Sequence, residues 1–254
     1  ALNLAGIEIT VVELLPQLLS FLDWEMARLV EGHLRSKSVN VFTGNGLAAF
    51  LGENGRLAAV KLANGTELPC DLAVVAVGVT PNTTLAREAG LELGAKGALV
   101  VNEFMQTSDP HIYAAGDCVE IPHRLTGKRV HAPYGDLANL EGRVAGENAV
   151  LGNTVTFPGT IGTGICKIFD YAAGITGVSE HAARENGFDD IITVVNASPD
   201  KPGFMNGKLL VTKLVADRST GRILGAQCVG PGAVAKQIAQ WAMAIQGKLT
   251  VEDL

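Results

Sequence analysis

A chain of 254 residues has room for about two domains, and 47% hydrophobic with 18% charged residues is the balance of a well-cored α/β protein rather than of a disordered one. A net charge of −6 without any Lys/Arg cluster argues against a nucleic-acid or anionic-membrane partner, since either calls for a concentrated basic surface. No apolar run reaches the roughly 18–20 residues of a membrane helix, no signal-peptide layout opens the chain, and Cys70, Cys118, Cys166 and Cys228 are too scattered for a disulfide framework or a zinc site; the expectation is a cytoplasmic protein with a small-molecule substrate, no membrane, no nucleic acid and no metal.

The segment from Ala1 to Gly6 reads as the last turn of a helix closed by glycine, and Ile7 to Val12 as a buried strand ending in Glu13. In a dinucleotide-binding βαβ unit the acid after the second strand hydrogen-bonds the adenine ribose, about 20 residues beyond a Gly-rich turn. No G-x-G-x-x-G occurs here. If Glu13 is that ribose ligand, the turn lies upstream of Ala1; a solvated surface glutamate is the competing reading.

Leu22, Met26, Leu29, Val30 and Leu34 predict an amphipathic helix from Leu22 to Ser36 with its N-cap near Asp23. A β-meander follows, with strands at Leu47 to Leu51, Leu57 to Leu62 and Thr66 to Leu68 separated by the tight-turn pairs Asn54-Gly55 and Asn64-Gly65. Leu72 to Val77 reads as a continuous strand buried on both faces, ending at Gly78 and broken by Thr80-Pro81-Asn82. A short helix near Leu85 to Gly90 and a strand near Leu99 to Val101 come next.

The run Thr107-Ser-Asp-Pro-His-Ile112-Tyr-Ala-Ala115-Gly-Asp117 turns at Asp109-Pro110, continues as an apolar strand from Ile112 to Ala115 and ends in Gly116-Asp117. A carboxylate at the carboxyl end of a buried strand can accept a bond from a ligand hydroxyl, each charge-assisted bond being worth about 1.5–3 kcal/mol. A core strand ending in a capped turn is the alternative. Leu137 to Leu151 reads as a helix with Leu137, Leu140, Val144 and Leu151 on its apolar face. Gly142 and Gly146, one turn apart, imply close approach of a backbone or a flat ligand, or ordinary tight packing.

After Gly152-Asn153 the pattern changes to an α+β unit. Strands are predicted at Gly164 to Phe169, Ala173 to Gly177, Asp190 to Val195, Lys208 to Ala216 and Ile223 to Val229. Ser179 caps a helix that Gly187 ends, Asp217 to Gly221 makes a hairpin turn, and Val234 to Ile245 forms a second helix.

The Thr107–Asp117 run resembles the second FAD fingerprint of the pyridine nucleotide-disulfide oxidoreductases, a Thr followed by an aliphatic-Tyr-Ala-x-Gly-Asp strand. Ala138-Asn-Leu-Glu-Gly142-Arg143 resembles that family's helix beneath the flavin ring, and Lys167 to Glu180 with Gly221 to Gln227 resembles the interface domain of its coenzyme A-disulfide reductase, NADH oxidase and NADH peroxidase subgroup. The His-Pro-Thr signature of a glutathione-reductase-type enzyme is absent, and the chain stops at Leu254 before the subgroup's closing aromatic segment.

The resemblance implies an α/β fold: Rossmann-like remnants and a β-meander of a flavoprotein with two dinucleotide-binding domains, then an α+β dimerisation domain. Residues 1–79 would be the carboxyl-side part of the NAD(P) domain, 80–152 that of the FAD domain, and 153–254 the interface of a homodimer. It further implies an FAD-dependent NAD(P)H oxidoreductase, with NADH favoured by the acid at Glu13, passing electrons to a disulfide, peroxide or oxygen. Asp117 would hold the ribitol among Thr107, Ala115 and Gly116, Ala138 would touch the ring, Asn139 would face the substrate side, and Gly78 would flank the nicotinamide path. No catalytic residue is assigned, because the redox cysteine would belong to an upstream FAD segment; Cys118 is read as packing. On this reading the chain is a fragment truncated at both ends, binding FAD weakly or not at all by itself. Its alternatives are a non-catalytic dimerisation fragment and a flavin reductase for a redox protein partner.

Overall fold

The structure, a computed structural model, describes residues 2–254, so the Ala1 end of the expected opening helix turn lies outside the described residues. Two compact units are present: one takes the chain up to Ala76 and again Thr163–Leu254, and the other is Val77–Gly162.

In the first unit a single 3-10 turn, Asn3–Ala5, is closed by Gly6 at φ +82°, a conformation glycine adopts without a Cβ penalty. The strand expected from Ile7 is ordered only over Thr10–Val12 (β1). After the helix Trp24–Ser36 (α1), β1 pairs in parallel with Asn40–Phe42 (β2), Thr10 opposite Asn40 and Val12 opposite Phe42. The meander forms as Leu47–Glu53 (β3), Arg56–Leu62 (β4) and Glu67–Pro69 (β5), in that spatial order. Asn54 at φ +52° and Gly55 at φ +76° make the consecutive left-handed pair that matches strand twist in a two-residue hairpin.

The apolar run Leu72–Val77 departs from expectation. Among the described residues it pairs with no strand, and all its residues but the half-buried Ala73 are exposed, 72% for Leu72 and 90% for Val77. Hydrophobicity predicts a need for burial, but a strand exists only where a neighbour completes its ladder.

The second unit contains a short helix, Thr84–Glu88 (α2), the strands Leu99–Val100 (β6), Val119–Pro122 (β7) and Arg129–His131 (β8), and the long helix Gly135–Leu151 (α3). The sheet order is β6-β7-β8, over a core of Leu99, Met105, Val119, Ile121, Ala145 and Phe157. Here the predicted strand Ile112–Ala115 is replaced by a folded-back loop. Tyr113 bridges only Gln106, Thr107 N–H donates to Ile112 O at 2.9 Å, and Ala114 N–H donates to Met105 O at 3.0 Å. The segment thus closes on residues just before it, and regular pairing resumes at Val119.

The apolar face expected for α3 is also displaced. Leu140 and Leu151 are exposed, whereas Glu141, Ala145 and Asn148 are buried at helical spacing. Asn148 is satisfied four times over, donating to Phe104 O and Val155 O and accepting from the Thr154 and Val155 N–H groups. Polar groups with complete partners can occupy a core face that hydrophobic periodicity alone assigns to leucines.

The first unit resumes with Gly164–Ile168 (β9), Tyr171–Gly177 (β10), the helix Glu180–Glu185 (α4), Ile191–Pro199 (β11), Leu209–Asp217 (β12), Ile223–Gly230 (β13) and the helix Val234–Gln246 (α5). All five strands are antiparallel, in the order β11-β12-β13-β10-β9. As read from the sequence, Ser179 Oγ caps α4 by accepting from Ala182 N–H, and Asp217 Oδ1 gathers Ser219 and Thr220 in the β12–β13 turn. Met26, Ala27 and Val30 of α1 pack on Ala173, Ile175 and Val229, while Val234 and Ile238 of α5 pack with Leu210 and Cys228. Val229 and Cys228 are consecutive in one strand and point to opposite faces, so α1 and α5 cover the two sides of this sheet.

Candidate functional site

The fingerprint residues meet at one turn of the second unit. Gly116 sits at φ +86°, and a Cβ built on it would lie 3.5 Å from the Ala138 Cβ near the start of α3. This brings together Gly116 and Ala138, which the sequence assigned separately to the strand end and the helix. Ala115 is half-buried beside them. Thr107 is buried and holds the entering turn, its hydroxyl donating to Asp109 O and accepting from Asp109 N–H, both at 3.2 Å.

Asp117 is exposed, and among the described residues no donor hydrogen-bonds its carboxylate. Only its carbonyl is engaged, accepting from His131 Nε2 at 2.7 Å. The backbone is fixed while the acid is left free, an arrangement suited to a hydroxyl-bearing ligand. Asn139, one residue beyond Ala138, is likewise exposed. Nothing comes within 4 Å of where Cβ atoms would sit on Gly142 and Gly146. Among the described residues no other backbone makes the close approach that was one reading of the two helix glycines.

Cys118 follows the acid, but its Sγ donates to Ala115 O and burial pushes its thiol pKa up, with the Glu141 and Asp117 charges adding to the effect. An activated thiolate needs the opposite environment.

Sequence reasoning missed Glu141. Its residue is only 2% exposed, and its Oε2 accepts the Gly116 N–H at 2.7 Å. Burial raises its pKa above the usual carboxylate range and the Asp117 charge adds to this, against the opposing Gly116 N–H bond. The available signal was its place three residues beyond Ala138, on the same helix face.

In the first unit Glu13 follows β1 as read, half-buried, with Oε1 accepting Leu15 N–H at 2.9 Å. An ionised carboxylate offers about four acceptor sites, so most of its capacity remains. Gly78, in the second unit, is exposed at φ +100° with nothing within 4 Å of a built Cβ.

The three carboxylates Asp23, Glu25 and Glu180 converge closely enough to hold a metal ion, but the cation among them is Lys213. Its Nζ lies 2.9 Å from Asp23, 2.8 Å from Glu180 and in contact with Glu25. Asp23, expected to cap its own helix, makes no side-chain bond to α1. It accepts instead from the Glu180 and His181 N–H groups at the start of α4, and from Gln227 Nε2. A lysine in a strand pattern gave no sign of this role.

Residues 1–133 match the pyridine nucleotide-disulphide oxidoreductase family and residues 163–254 match its dimerisation domain. The chain is 34% identical over 254 residues to an NADH oxidase of Methanocaldococcus jannaschii, covering 100% of this chain and 56% of that protein. It is 37% identical to an NAD(P)H sulfur oxidoreductase (CoA-dependent) of Pyrococcus furiosus, over 76% of this chain and 43% of the relative. The structure of an NAD-dependent persulfide reductase from A. fulgidus superposes with a TM-score of 0.93 at 44% identity, over 98% of this chain and 46% of that one. The chain thus spans about half the length of the relatives it matches. Among the described residues no helix is long and apolar enough to cross a membrane. With its fold, its fingerprint turn and both of its matched segments in agreement, the chain belongs to the pyridine nucleotide-disulphide oxidoreductase family.

Proposed function

We propose that this chain is part of an FAD-dependent NAD(P)H oxidoreductase that passes electrons from a nicotinamide, through flavin, to a disulfide of the coenzyme A type, to peroxide or to oxygen. The observation that carries the reading is the Gly116-Asp117 turn: its backbone is hydrogen-bonded on both sides, its carboxylate has no hydrogen-bond partner among the described residues, and it lies against Ala138 near the start of α3. Those residues fit a flavin. Asp117 would accept from a ribityl hydroxyl, Gly116, Ala115 and Ala138 are small enough for close approach, and Thr107 keeps the entering turn closed. The start of α3 adds unpaired N–H groups and a positive end, which favour negative charge at the ring.

When bound, the flavin supplies hydride acceptance and the onward release of electrons. This chain's own residues bind and orient. Glu13 would accept from the adenine ribose of NADH, Gly78 would leave room along the nicotinamide path, and Asn139 would face the acceptor. No cysteine here is assigned as nucleophile. The domain parts 1–79 and 80–152 would serve NAD(P) and FAD, and 153–254 would form a homodimer interface, supported by the dimerisation-domain match. A cytoplasmic setting fits four cysteines that all remain free thiols.

The test is flavin content. Purified full-length protein should carry the visible flavin band and oxidise NADH with coenzyme A disulfide, hydrogen peroxide or oxygen as acceptor. Protein that neither retains FAD nor binds it when added would overturn the reading.

A further inference from the structure

We propose that Glu141 is a positioning residue for the flavin-binding turn: its buried side chain, anchored on α3, grips the Gly116 N–H and thereby sets the direction in which Asp117 is presented. This rests on the flavin reading above. Three observations lead to it. Gly116 has a left-handed backbone, φ +86°, which costs glycine little but gives the turn no preferred direction of its own. The Glu141–Gly116 bond of 2.7 Å is the tie from the Gly116 N–H to a side chain 25 positions later. Among the described residues the Asp117 side chain makes no hydrogen bond that could hold it in place. Aim at this site therefore comes from the turn, and the turn is held from α3.

The arrangement is also costly in a way that packing alone does not require. A carboxyl group is buried beside a second carboxyl group, where burial and the Asp117 charge both oppose its ionisation. An apolar side chain would fill the same volume without that penalty, but it could not accept the Gly116 N–H. The groups facing Glu141 here are the Gly116 amide, Asp117 and Cys118. His131 bonds the Asp117 carbonyl from β8 and supports the far side of the same turn.

The experiment compares Glu141→Gln, Glu141→Asp and Glu141→Leu in the full-length protein, reading FAD dissociation by recovered flavin fluorescence alongside the melting temperature. Gln keeps an acceptor at the same reach, and it should hold FAD within about threefold of the wild type. Asp keeps the charge but shortens the reach by one methylene, and it should weaken FAD on the order of tenfold while the protein stays folded. Leu should lose FAD at least as strongly. Asp and Leu variants that retain FAD like the wild type would overturn the proposal, as would a Gln variant that fails as badly as Leu. A wild-type protein that binds no FAD would instead sink the functional reading itself, and this inference with it.

Discussion

Lys213 Nζ lies 2.9 Å from Asp23 Oδ2, and both side chains are almost wholly buried, so a fully formed ion pair joins the first turn of α1 to the centre of β12. Glu180 and Glu25 complete the shell, and Gln227 is hydrogen-bonded to Asp23 in both directions. Breaking one side of such a pair leaves the remaining charge stranded. Lys213→Met is expected to lower stability by about 3–5 kcal/mol, at the lower end because Glu25 and Glu180 retain contact with solvent. Urea denaturation checks this, and a loss below about 1 kcal/mol would show that the shell relaxes without its lysine.

Acid should act on the same place. Burial alone would push the Asp23 pKa up, but the Glu180 N–H, Lys213 and Gln227 outweigh it and hold the carboxyl below its ordinary value. A depressed folded pKa means that stability is present above the unfolded value, about 3.9, and lost as pH falls through the folded one. Glu141 runs the other way. Its raised pKa favours the folded state below about 4.3, and that contribution fades as pH rises through the folded value. Stability measured from pH 3 to pH 8 should therefore lose part of its acid-side slope in Asp23→Asn and gain at neutral pH in Glu141→Gln.

Asp117→Ala should separate binding from folding. Because the carboxylate bonds nothing among the described residues, stability should change by no more than about 0.5 kcal/mol. FAD affinity should fall about tenfold to a hundredfold. A variant that melts much earlier than the wild type would mean that the acid is structural.

Two glycines, Gly225 within β13 and Gly221 in the turn before it, should rank far apart. A Cβ on Gly225 would sit 1.8 Å from Val178 O, whereas one on Gly221 would meet nothing closer than 3.5 Å. Gly225→Ala is expected to cost about 3 kcal/mol through forced backbone shifts. Gly221→Ala, at φ +70° in a turn where a Cβ makes only ordinary contacts, should cost about 1 kcal/mol. Equal thermal shifts for the two would contradict the packing described.

Much of the architecture was legible because period and turn chemistry are local. The Asn54-Gly55 hairpin, the Ser179 cap and the positions of the five strands after Gly164 follow from residues within a few positions of one another, whereas the order in which those strands pair does not. The elements that went astray depend on pairing that hydrophobic pattern does not report. Leu72–Val77 reads as a strand yet has no neighbour to pair with, and Ile112–Ala115 is folded back by bonds to Met105 and Thr107. At the candidate site the same divide holds. Gly116 and Asp117 were visible as a motif, but Glu141 and Lys213 act across 25 and 190 positions, and a charged side chain carries no mark of the burial that gives it its role.

The bonds between Asp23 and Gln227 span 204 positions of chain. On a ribosome adding about 5–20 residues per second, α1 would emerge roughly 10–40 seconds before the strand that shelters it exists. Until then its apolar stripe of Met26, Ala27 and Val30 has no permanent home. That stripe stays open to solvent or to other chains through the interval, and slow translation of the codons between α1 and β13 would lengthen it.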